Sequence, residues 1–70
     1  MVKLFVQRSE LDKNRELEVE NMGKCINLWI SDKTNDTEAN LDLTPQEALV
    51  VAEKLTMYAE EILAENKEAL

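Results

Sequence analysis

The sequence predicts an α+β domain in which a four-stranded antiparallel sheet is followed by one C-terminal helix packed on one face (β-β-β-β-α, two layers). Three observations carry this. Four short runs alternate apolar and polar residues with period 2. The stretch Thr44-Pro45-Gln46-Glu47 has the chemistry of a helix start. After it, an apolar stripe of helical period runs on without glycine or proline. Strands with one dry face and a helix with one dry stripe must bury them, and two layers are the economical solution.

The first strand covers about residues 1–8, where Val2, Leu4 and Val6 alternate with Lys3, Phe5 and Gln7. Ser9–Asn14 is a polar connection. The second strand, 15–21, sets Leu17 and Val19 against Glu16, Glu18 and Glu20. The only glycine, Gly23, then sits where a tight turn needs positive φ. The third strand, 24–31, alternates Ile26, Leu28 and Ile30 with Cys25, Asn27 and Trp29. A two-residue loop at Met22-Gly23 pairs Val19 with Ile26 and Leu17 with Leu28, so apolar meets apolar. The same register sets Glu16 opposite Trp29, Glu18 opposite Asn27 and Glu20 opposite Cys25.

Residues 31–37 are dense in turn formers. The fourth strand, 38–43, carries Ala39, Leu41 and Leu43 on one side, and a meander is the simplest strand order. The helix covers about 45–66. Thr44 can accept from free first-turn amides, Pro45 loses no needed donor, and Glu47 can reach back to close a capping box. Ala48, Val51, Ala52, Leu55, Tyr58, Ala59 and Ile62 lie within about 60° of one line at 100° per residue, which is the stripe expected to face the sheet.

Seventy residues make one domain, 1–70, without repeat or linker, and its core must be small. Such a chain is a natural candidate for oligomerisation. A second ridge on the helix, Val50, Met57 and Ala64 at heptad spacing, suits a helix of another subunit and suggests self-association as a homodimer.

The formal net charge is −7, from 8 basic and 15 acidic residues. Residues 1–30 balance at five against five, whereas 31–70 carry three Lys/Arg against ten Asp/Glu. That surface repels phosphates and anionic lipid, so neither direct nucleic-acid binding nor a membrane partner is expected. No run of about 20 apolar residues exists to span a bilayer. With a single cysteine and no apparent leader, the expected location is cytoplasmic.

Catalytic apparatus is sparse. The chain has no histidine, hence no imidazole base or metal ligand. One glycine cannot build a phosphate-cradling loop. The 32–38 loop faintly resembles a calcium loop, but its sixth position is Thr37 and its twelfth Leu43, where glycine and a bidentate Glu are required. Cys25 beside Glu20 would be a poor nucleophile. No enzyme activity, cofactor or metal is expected.

What remains is surface. The sheet face away from the helix is expected to carry Phe5, Trp29, Glu16, Glu18 and Asn27 as a partner-binding set, aromatics inside a polar rim. A protein partner with a basic surface would suit it. In size and composition alone, the chain resembles the small inhibitors and accessory proteins of phages and other mobile elements, a likeness that transfers no residue. Two other readings stand beside this one. One is a homo-oligomer holding a small ligand, such as a nucleotide, at a subunit interface, with Trp29 or Tyr58 stacking on it. The other is an acidic mimic of nucleic acid.

Overall fold

The computed structural model of the chain describes residues 3–68. Met1 and Val2, counted into the first strand, and the Lys3 side chain lie outside the described part. Four strands, β1 (Lys3–Arg8), β2 (Arg15–Asn21), β3 (Ile26–Asp32) and β4 (Thr37–Leu43), precede one helix, α1 (Pro45–Glu68). The strands form one antiparallel sheet in the order β1-β2-β3-β4, a meander.

Local chemistry fixes each turn. After β1, the Ser9 amide donates to the Arg15 carbonyl at 3.0 Å and the Arg15 amide to the Asp12 carbonyl at 3.0 Å. Ser9 Oγ and Asp12 Oδ1 accept from the Asp12 and Asn14 amides, holding the loop by side-chain mimicry of backbone turns. Between β3 and β4, Asp32 Oδ1 accepts from the Thr34 and Asn35 amides, and Asp36 takes φ 51°.

The turn between β2 and β3 differs from the two-residue loop expected. Asn21 pairs with Ile26, leaving four residues, 22–25, in the turn. The Met22 amide donates to the Cys25 carbonyl at 3.0 Å, Asn21 Oδ1 accepts from the Gly23 amide at 2.9 Å, and Gly23 has φ 92°. The register therefore slips by two: Val19 faces Leu28, Leu17 faces Ile30, Glu18 faces Trp29 and Glu20 faces Asn27. An even slip keeps every side chain on its expected side. Cys25, expected in the strand opposite Glu20, lies in the turn.

The β1 register brings a second correction. Phe5 pairs with Val19 and Val6 with Glu18, so Phe5 shares the face of Val19 and Leu28, while Leu4 and Val6 share the face of Trp29. Leu4, Phe5 and Val6 are three apolar residues in a row, so alternation alone gives β1 no preferred side. The turn at Ser9–Asn14 decides it.

One face, here the apolar face, thus collects Phe5, Leu17, Val19, Ile26, Leu28, Ile30, Ala39, Leu41 and Leu43. The other, the polar face, holds three cross-strand rows: Leu4-Glu20-Asn27-Asp42, Val6-Glu18-Trp29-Asn40 and Arg8-Glu16-Ser31-Glu38.

The helix starts as expected: Glu47 donates its amide to Thr44 Oγ1 at 3.1 Å and its carboxylate accepts from the Thr44 amide at 3.0 Å, a closed capping box. Within one chain, however, α1 meets the sheet chiefly at the neighbouring strand β4 and does not lie on the apolar face. Every helix residue from Leu49 to Asn66 is exposed, including Leu55 at 66% and Ile62 at 58%. The reason is the connection. Thr44 alone joins Leu43 to Pro45, and it is committed to the cap, so no loop remains to fold the helix back. Among the described residues only Leu43, at the strand–helix joint, is buried among apolar side chains. The helix extends outward instead: the molecule is 43 Å along its longest axis with a radius of gyration of 14.6 Å, against about 11 Å for a compact chain of this length.

Candidate functional site

The polar face is where the structure gathers most of the expected partner-binding residues. Trp29 stands at its middle, half-buried, between Glu18 on β2 and Asn40 on β4. Glu18 lies in turn between Trp29 and Val6 in its row, so its aliphatic stem is flanked by two apolar residues. On the row toward the β2–β3 turn, Asn27 donates through Nδ2 to Asp42 Oδ1 at 2.8 Å, which fixes both side chains.

The other flank of Trp29 is neutralised. Glu16 Oε1 accepts from Lys33 Nζ at 3.2 Å and from Arg8 Nη2 and Nε at 3.2 and 3.3 Å. Its carboxylate is thereby held below the ordinary glutamate range, first by the Lys33 hydrogen bond and then by that from Arg8. Asp32 is likewise held below its ordinary range, chiefly by the Asn35 side chain, and it pairs with Arg15 at 3.2 Å. Of the acids on this face without a basic partner, Glu18 and Glu20 cluster with Asp42 toward the β2–β3 turn, while Glu38 lies in the row of Arg8 and Glu16, where the two cations offset it, so the face has a compensated end and an acidic end.

Of the five residues expected together, Trp29, Glu16, Glu18 and Asn27 share this face and Phe5 does not. Leu4 and Val6, exposed at 57% and 48%, take its place as the apolar margin. Sequence alternation had no means to find them, because it assigns β1 from its own pattern and not from its partner's. The helix ridge of Val50, Met57 and Ala64 is exposed, as is the rest of α1.

Among the described residues, no three His, Cys, Asp or Glu side chains converge so as to hold a metal ion. No helix among them is long and apolar enough to cross a membrane. A shallow hollow at the β2–β3 turn is lined by Phe5, Val19, Ile26, Cys25 and Pro45, with Lys24 next to the thiol. Compared with protein-family models, curated proteins and solved structures, the chain gives no match.

Proposed function

We propose that the protein is a small acidic interaction module of the cytoplasm that works by occupying the surface of a partner protein, as an inhibitor or accessory factor does, rather than by catalysis. The observation that carries this reading is the central row of the polar face: an indole held at mid-sheet between Glu18 and Asn40, with free carboxylates on one side. A half-exposed tryptophan supplies large rigid contact area at small entropic cost. Carboxylates around it steer and orient a basic surface, and they act mostly on encounter rate and specificity. The partner surface that fits is therefore an apolar slot rimmed by Lys or Arg.

Trp29→Ala tests the reading directly. Quantitative pull-down from the native host, run beside thermal unfolding, should lose the partner with little change in unfolding. Added salt should slow association of the unaltered chain. Retention of the same partner at the same yield by Trp29→Ala would remove this face from the function.

A further inference from the structure

We propose that a second copy of this chain covers the apolar face, each copy laying the Ala48–Leu63 stripe of its helix across the Val19, Leu28 and Leu41 surface of the other in a symmetric dimer. This stands apart from the reading of the polar face, which such an arrangement leaves outward.

Area argues for it first. The chain exposes 6259 Å², whereas a compact protein of 8.0 kDa exposes about 4,450 Å². The excess is roughly 1,800 Å² per chain, so a pair that removed it would bury about 3,600 Å², within the range of obligate homodimers.

Chemistry names the occupant. Around α1, the arc from Tyr58 through Val51, Ile62, Leu55, Ala48, Ala59 and Ala52 to Leu63 is about 140° wide at 100° per residue and contains no charge. The middle of the apolar face is equally free of charge, since Arg15 and Asp32 at its end pair with each other. A basic partner would find no counter-charge here, whereas an uncharged apolar surface needs none. The chain itself bears one of each.

Dimensions agree. The stripe from Ala48 to Leu63 is about 22 Å long at 1.5 Å per residue, and the seven-residue strands are about 23 Å long. Topology then selects the arrangement. The one-residue joint at Thr44 keeps the helix off its own sheet, so the cover must come from another molecule. Pairing helix with helix alone would leave both apolar faces wet, and stacking sheet on sheet alone would leave both helices wet. Reciprocal exchange covers all four surfaces and closes under two-fold symmetry.

Three measurements on the full chain decide it. Sedimentation equilibrium should give twice the 8.0 kDa chain mass. The thermal midpoint should rise by a few degrees for each tenfold increase in protein concentration, because the core forms only on association. Isotope-filtered NOE spectra of mixed labelled and unlabelled chains should connect Leu55 and Ile62 methyls of one copy with Val19 and Leu28 methyls of the other. A monomer that unfolds cooperatively with a concentration-independent midpoint would overturn the proposal. So would an oligomer whose intermolecular NOEs omit the helix–sheet pairs, for example one joined only along Val50 and Met57.

Discussion

Leu28 and Trp29 are neighbours in β3 and both half-buried in a single chain, yet they belong to surfaces finished in opposite ways. Around Trp29 the polar face completes itself: Asn27 bonds Asp42, Glu16 gathers Arg8 and Lys33, and among the described residues no buried side-chain polar atom lacks a partner. Around Leu28 lie Val19 and Leu41, and among the described residues no second layer covers them. The difference teaches that this sheet is built to meet water on one side and another apolar surface on the other. Hydrogen bonds and ion pairs can be satisfied within a thin sheet. Apolar area can be removed from water only by a second layer.

The strongest way to break that comparison is to place a charge on each side in turn. Leu28→Asp should cost about 3–5 kcal/mol, the scale of losing a core side chain and burying a carboxylate, and should abolish cooperative unfolding in urea. Trp29→Asp, on the wetter face, should cost about 1–2 kcal/mol and leave a cooperative transition. Equal costs would mean that both faces meet solvent, and the contrast between them would collapse.

A smaller effect sharpens the role of the helix. Because α1 gains little packing from its own sheet, its first turn depends on the Thr44–Glu47 capping box. Thr44→Ala should destabilise it by about 1 kcal/mol, read as a lower urea midpoint and reduced helical circular dichroism at low protein concentration. If the helix is covered by a second chain, that loss should shrink as concentration rises.

These features were unequally legible in the sequence. The strand and helix order, and the helix start at Thr44, follow from short-range periodicity and cap chemistry, both of which act over a few residues. Alternation also separates Trp29 from Leu28, and it survives the change of turn because a slip of two preserves sidedness. The side taken by Phe5 was not legible: Leu4-Phe5-Val6 satisfies either assignment, and the choice is made by the Ser9–Asn14 turn through its hydrogen bonds to Asp12 and Arg15. The position of the helix was half legible. A stripe of apolar residues says that something must cover it, and periodicity carries no information on which molecule does so. The signal was the spacing: a strand reaching Leu43 and a helix beginning at Pro45 leave Thr44 alone for the reversal, too little chain for a helix to return to its own sheet.

The smallest expected effect belongs to the compensated end of the polar face. Glu16 is held below the ordinary glutamate range by Lys33 and Arg8, so in the folded chain its carboxylate keeps its charge to lower pH than in the unfolded chain. A carboxyl lowered in this way contributes stability fully above its unfolded value, and the contribution disappears as the pH falls through that value toward the folded one. Glu16→Gln should therefore lower the urea midpoint slightly at about pH 7, and the difference should shrink as the pH falls below the unfolded carboxyl value. Salt at about 1 M should reduce the difference at neutral pH, because surface pairs are screened. A gap that widened on acidification would reverse the sign of the interaction. The polar face would then be stabilised by the shelter of Trp29 and the Asn27–Asp42 bond, with no contribution from its ion pairs.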